Sequence, residues 1–463
     1  MTSVWRKVAF AVYLLFSVAL VYKPIDAVGV VISDAAEYSI AAENLASGEG
    51  LTVTVHGERH PTRYLPGFST LWLAPIYSLT DGAPERAFPV VQLAGVAMFW
   101  LLWLLCTTLV SGANGIAAAF VSAPLIRHMH AFDETVQTLM SDVPILAASF
   151  GACVAFVACW RKPSSRNFVI GALCVGIATS MRLTCLALCG PFALLLLRDL
   201  LRRTSYRHLL LFSGTLGAAV ATLLIYNWVV FGGPMHTGCH YWLAPIDYTL
   251  GFGNLGVAGE AMMRPFGPRL HIHPVPVANA ALNSLLLLPV VAGGVLLVFA
   301  RKRLRSLSPL LAFLLVALLP TQVFFLLYPF PEARFSLFAH AAVVVLGVTM
   351  VALMLPQERA QWPGAVLAVA GLTVALCCHP WTQLAQRPML KTVFDQANAA
   401  LPDDAIVIGA LPEMLVVRGL VHGTNREYVP LRVKRSFETW MIGKRGEERR
   451  SLGIQASKRI RSK

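Results

Sequence analysis

Asp34 opens the phrase Ser33-Asp34-Ala35-Ala36-Glu37-Tyr38, just after the first apolar run of the chain. A carboxylate beside a membrane span costs free energy unless it is used or paired. Two uses fit its position. It can take a proton from a hydroxyl as a general base, or cap the helix that follows. More carboxylates stand in Phe132-Asp133-Glu134-Thr135 and in Ser141-Asp142-Val143-Pro144. Ser141 or Asp142 can cap the next helix, with Pro144 in its first turn. Asp133 and Glu134 have no such role, and like charges placed together need a cation or a substrate between them. Arg182, in Ser180-Met181-Arg182-Leu183-Thr184, and Arg334, in Pro331-Glu332-Ala333-Arg334-Phe335, supply the counter-charge. A guanidinium is planar and always charged, which suits it to phosphate. It can also simply anchor a helix end at the interface. Arg59, Arg63, Arg264 and Arg269 read as solvated.

A wide loop begins Phe231-Gly232-Gly233-Pro234-Met235-His236-Thr237-Gly238-Cys239-His240-Tyr241-Trp242. Aromatics among Gly and Pro suit a sugar, a prenyl chain or a plain interfacial belt. Tyr38, Tyr241 and Trp242 are the substrate-groove candidates. His236 and His240, with His271 and His273 later, are too few and too Gly-broken for a zinc site. Phosphate-binding glycine loops, dinucleotide fingerprints and nucleophile-elbow serines do not occur.

The elements that must position these residues are membrane helices. Of 463 residues, 56% are hydrophobic and 13% charged, against about 25% charged in soluble domains. The apolar runs are too long for alternating barrel strands, so the expectation is an all-α polytopic membrane protein. Spans are expected at about 8–22, 88–110, 114–128, 141–160, 167–181, 183–198, 208–230, 276–300, 307–328, 336–355 and 363–378. Basic clusters at Arg6/Lys7, Arg161/Lys162/Arg166, Arg198 to Arg207 and Arg301 to Arg305 fall in alternate loops, which places the N-terminus in the cytoplasm and the C-terminus outside. The net charge of +14 is accounted for by those loops and by contact with anionic membrane lipids, without nucleic acid. Residues 66–81, broken by Pro66 and Pro75, read as a half-embedded interfacial helix with Trp72 and Tyr77 at head-group level. A juxtamembrane helix follows from Ala35, Tyr38, Ala42 and Leu45 at spacings of three to four. Eight of the nine cysteines lie in or beside apolar runs and Cys239 in a loop; without a C-x-x-C they read as packing residues. After Cys378 charges return, and 401–409 reads as a turn and a short strand. The chain thus divides into a transmembrane domain, 1–378, with a first outer loop at about 23–87, and a tail or small α/β appendage, 379–463.

In order, these phrases resemble the GT-C superfamily of glycosyltransferases. They are most similar to bacterial members of the protein O-mannosyltransferase and aminoarabinose transferase family. The shared phrases are Asp34-Ala35 with Tyr38, Asn44-Leu45-Ala46 with Gly48 and Gly50, Pro66-Gly67-Phe68, Ser141-Asp142-Val143-Pro144, Arg182-Leu183-Thr184, Phe231 to Gly238, and Arg334-Phe335. The similarity runs over about residues 5–345. Ser33 stands where the family often has a second acid, and the second site is not a clean D-x-D, which leaves metal dependence open.

The resemblance implies a GT-C bundle of about 11 helices and a polyprenyl-phosphate sugar donor. Asp34 would be the catalytic base at the outer surface. Asp133, Glu134 and Asp142 would orient the acceptor or hold a cation, and Arg334 and Arg182 would hold the donor phosphate. The acceptor would be a lipid, glycan or protein, and the location the cell (inner) membrane. No cofactor is required outright, though a divalent cation is compatible. The competing reading is a transporter or flippase of a lipid-linked substrate, which an internal repeat and midplane charges would favour; neither is seen.

Overall fold

The computed structural model describes residues 3–22, 33–55, 58–80, 84–136, 138–202, 206–238, 241, 291, 295, 303–328, 333–355, 407–409 and 428–430. Among them, seven helices are long and apolar enough to cross a membrane. The sequence dictates this directly. An apolar stretch of about 20 residues in lipid must satisfy its own backbone, and a helix is the economical way.

The main helices are α1 (Ser3–Val21), α2 (Ser33–Ala46), α3 (Pro66–Phe68), α4 (Ala74–Thr80), α5 (Pro84–Leu109), α6 (Gly112–His128) and α7 (His130–Thr135). Then come α8 (Asp142–Arg161), α9 (Ser165–Met181), α10 (Cys189–Leu201), α11 (Tyr206–Phe231), α12 (Ser308–Leu327) and α13 (Leu337–Met354). Nine of the expected spans coincide with helices in this series; 276–300, apart from the helical Val291 and Val295, and 363–378 lie outside the described residues.

The described residues fall into two compact units. The first comprises those of Met1–Val28, Phe88–Thr222 and Leu250–Gln386. Its centre is the α8–α9 hairpin. Small residues along α8 (Ala147, Ser149, Gly151, Ala152, Cys153, Ala155) are all buried. Small side chains let membrane helices approach closely. Around them Phe156 meets Phe192 and Phe313 with ring centroids 5.7 and 5.4 Å apart. Cys106, Cys153, Cys159 and Cys185 are buried and free, as packing residues are. Polar side chains tie helix ends across this unit. Arg127 Nε donates to the Leu20 carbonyl at 2.6 Å, and Asn114 Nδ2 to the Ala352 carbonyl at 2.9 Å.

The second unit comprises the described residues of Gly29–Ala87, Leu223–Thr249 and Arg387–Lys463. Here α2 forms as its pattern demands, burying Ala35, Tyr38, Ala41 and Ala42. It ends in a Schellman turn. Glu49 N–H bonds the Asn44 carbonyl and Gly48 N–H bonds that of Leu45, with Gly48 at φ +82°. Only glycine takes that backbone without cost. Asn44 Nδ2 then donates to the Thr52 carbonyl at 2.8 Å and joins the helix to β1 (Thr52–Val55). The Asn44 to Gly50 phrase is therefore a helix stop and a strand start. β1 pairs antiparallel with β2 (Glu58–Pro61), Val53 opposite His60.

Residues 66–80 form one helical run. It passes from α3 through a π-turn over Ser69–Leu73 into α4. Leu71 and Leu79 are exposed, as a membrane-facing helix requires, but Tyr77 is only 2% exposed. Its hydroxyl is hydrogen-bonded to Ser39, so Tyr77 packs against α2. In the C-terminal segment, β3 (Val407–Gly409) pairs in parallel with β4 (Tyr428–Pro430). The strand expected near 401–409 is present; the rest of 379–463 lies outside the described residues.

Candidate functional site

The candidate residues gather into two clusters, one in each unit. In the second unit, α2 begins at Ser33, so Asp34 occupies the first turn rather than the N-cap. There the helix dipole favours its charge. Glu37, three residues on, lies on the same face. β2 runs out at Pro61 and delivers Thr62 and Arg63 to both acids. Glu37 Oε1 accepts from the Thr62 hydroxyl and from the Arg63 backbone N–H, both at 2.8 Å. Glu37 Oε2 accepts from Arg63 Nε at 2.6 Å. Arg63 Nη2 reaches Asp34 Oδ1 only at 3.4 Å. The guanidinium is thus fixed by Glu37 and leans toward Asp34. Arg63 is an ion-paired residue with a side chain 31% exposed, not a solvated one.

Burial pushes the Tyr64 hydroxyl well above its ordinary range; Arg63 opposes this, while Asp34, Glu37 and Tyr38 add to it. Tyr64 therefore stays protonated and is no base. Its ring stacks on Tyr38 at 4.4 Å, and Phe68 meets Tyr38 edge-on at 5.0 Å. Tyr38, expected in a substrate groove, is 5% exposed. Its ring packs and does not line an open surface. Tyr241 is half-buried, with its hydroxyl 3.3 Å from His60 Nδ1. Trp242 and His240 lie outside the described residues.

The loop after α11 closes on this cluster at Gly238. A Cβ there would lie 2.2 Å from the Thr62 carbonyl oxygen and 2.4 Å from Arg63 Cα. These are backbone atoms and cannot swing aside. Gly238→Ala should therefore displace Arg63 and cost about 1–3 kcal/mol as an overpacked site. Gly217→Ala, with nothing within 4 Å, should be neutral or mildly stabilising in its helix. Thermal midpoints of both variants in detergent check this; equal midpoints would contradict the contact.

In the first unit, Ser141 stands at the N-cap of α8 without a capping side-chain hydrogen bond, and Asp142 lies in the first turn. Asp142 does not cap either. Its side chain is 1% exposed, and Oδ1 takes Arg182 Nη2 at 2.6 Å. Arg182 sits on the extended break between α9 and the 3-10 turn Leu183–Leu188. Arg334 arrives on the 3-10 turn Ala333–Ser336, with Nη1 3.8 Å from Asp142 Oδ2. The ring of Phe335 lies under both guanidiniums, 4.8 Å from Arg182 and 5.4 Å from Arg334.

These three charged residues stand together on the wall of a small, open cleft. Its remaining wall is mostly apolar, including Leu188, Leu318, Phe325 and Phe338. An anionic head with an apolar tail matches such a lining. Asp142 was expected to orient an acceptor or bind a cation; the cations it meets are arginines. Asp133 and Glu134 lie on α7, but their side chains are outside the described residues. Among the described residues, no three His, Cys, Asp or Glu converge as a metal site does.

Sequence reasoning passed over Glu37 and misjudged Arg63. The signal for Glu37 was its i+3 spacing from Asp34. For Arg63 there was none, because its partner comes from 26 residues away.

No protein-family model and no curated protein matches this sequence. Solved structures do match. ArnT from Cupriavidus metallidurans bound to undecaprenyl phosphate is 14% identical, with a TM-score of 0.52, over 90% of this chain and 85% of that one. The same protein in its apo state gives 15%, 0.54, 93% and 90%. Archaeal oligosaccharyltransferase AglB from Archaeoglobus fulgidus, with an inhibitory peptide and a dolichol-phosphate, gives 14%, 0.52, 91% and 64%. At such identities the likeness is one of fold, and it agrees with the resemblance seen in the sequence phrases. The chain is a multi-pass membrane protein that shares the fold of these solved proteins.

Proposed function

We propose that the chain is an integral-membrane glycosyltransferase that uses a polyprenyl-phosphate sugar. The observation that carries this reading is the meeting of Arg182 and Arg334 at Asp142 on the wall of a mostly apolar cleft. It is joined by the fold shared with proteins solved with undecaprenyl phosphate and dolichol-phosphate.

Arg334 and Arg182 hold the donor phosphate, with Phe335 lying under both forks. An acceptor hydroxyl attacks the anomeric carbon, and the bond from that carbon to the phosphate oxygen breaks. The phosphate leaves with the lipid. Because it is already a good leaving group, it needs charge stabilisation rather than a strong acid. Asp34 takes the hydroxyl proton. One base, with attack from the face opposite the leaving group, gives inversion. The acceptor is a lipid, glycan or protein hydroxyl. The reaction lies on the outer side of the cell membrane, with the N-terminus in the cytoplasm, following the basic-loop rule.

Arg334→Lys tests the donor site. Lysine keeps the charge but loses the planar fork. Transfer from a polyprenyl-phosphate sugar in liposomes should fall at least about tenfold, at the roughly 1.5–3 kcal/mol typical of charged hydrogen bonds, with insertion unchanged. Wild-type turnover in this variant would reduce Arg334 to an interface anchor.

A further inference from the structure

Asp142 carries an unusual feature for a buried ion. Among the described residues, Oδ2 has no hydrogen-bond partner, although the side chain is 1% exposed and Arg334 Nη1 stands 3.8 Å away. That distance is an ion pair but not a hydrogen bond. A buried carboxylate oxygen left without a donor is costly. Its other oxygen, at 2.6 Å from Arg182, is fully engaged. The carboxylate therefore grips one arginine well and the other poorly. A phosphate offers more oxygens and more charge than a carboxylate, and can close on both forks. All three side chains line the same cleft.

We propose that Asp142 is a built-in competitor for the lipid phosphate. Its carboxylate occupies the two arginines when the cleft is empty, yields Arg334 when a polyprenyl phosphate enters, and returns to speed release of the product lipid. This rests on the donor reading given above. It differs from a purely positioning role in sign. If Asp142 only aims the arginines, its removal weakens phosphate binding. If it competes, removal strengthens binding and slows turnover.

The experiment measures undecaprenyl phosphate binding to the full chain in nanodiscs, for wild type, Asp142→Asn and Asp142→Ser. Undecaprenol, which lacks the phosphate, is the control. Serine is included because it suits the start of a helix should the amide fold poorly. Removing a like charge a few ångströms from the ligand should tighten undecaprenyl phosphate binding by about tenfold in both variants, leave undecaprenol unchanged, and lower kcat. Equal or weaker phosphate binding in the variants overturns the competition and leaves Asp142 a positioning residue. Absence of phosphate-specific binding by wild type overturns the donor reading, and the competition falls with it.

Discussion

Asp34→Asn is expected to lose transfer by roughly 10²–10⁴-fold, the range for removal of a general base, with folding and insertion intact. The amide is nearly isosteric with the carboxylate. Its oxygen can still take the long, 3.4 Å contact from Arg63. The architecture around it does not depend on that contact, because Glu37 holds Thr62 and Arg63 through three bonds of 2.6–2.8 Å. What the amide cannot do is accept a proton. Glu37→Gln makes the contrast. It should loosen the Thr62–Arg63 segment and lower the thermal midpoint, whatever it does to rate. The measurement is in vitro transfer in liposomes beside thermal midpoints in detergent. Near-normal transfer by Asp34→Asn would end its assignment as the base and leave it a charge placed well for the α2 dipole.

Arg182→Ala has the largest expected effect on stability. It strips Asp142, with a side chain 1% exposed, of its 2.6 Å partner. Breaking a buried ion pair from one side costs about 3–5 kcal/mol, since the remaining charge stays out of water. The reverse loss is milder, because the Arg182 side chain is 21% exposed and keeps the Phe335 ring beneath it. Adding Asp142→Asn to Arg182→Ala should therefore recover much of the lost stability. Thermal midpoints of the single and double variants in detergent read this directly. A wild-type midpoint for Arg182→Ala would mean that the pair contributes nothing to the first unit. A double variant as unstable as the single would locate the loss elsewhere, in the packing of Phe335 under Arg182.

The apolar runs determined the membrane class and the nine helices α1, α5, α6 and α8 to α13, because a span in lipid closes its own hydrogen bonds within one segment. The three-to-four spacing of Ala35, Tyr38 and Ala42 determined α2 for the same local reason. Those residues did not say what the buried face would meet, and so Tyr38 was read as facing a groove when it packs against Tyr64 and Phe68. The Asn44 to Gly50 phrase was recognisable as a pattern. Its meaning as a Schellman turn and a tie to β1 came only with the hydrogen bonds and the positive φ at Gly48.

Pairings between distant residues belonged to the tertiary structure alone. Helical periodicity reaches one or two turns. It cannot tell that Asp142 turns away from capping α8 to meet Arg182, 40 residues on, or that Arg63 goes to Glu37. Nor can it show why Gly238 must lack a side chain, which depends on the Thr62–Arg63 backbone lying against it. Local spacing chose the elements; which charges share a buried site was decided by how those elements pack, because a carboxylate leaving water takes whichever cation the fold delivers to it.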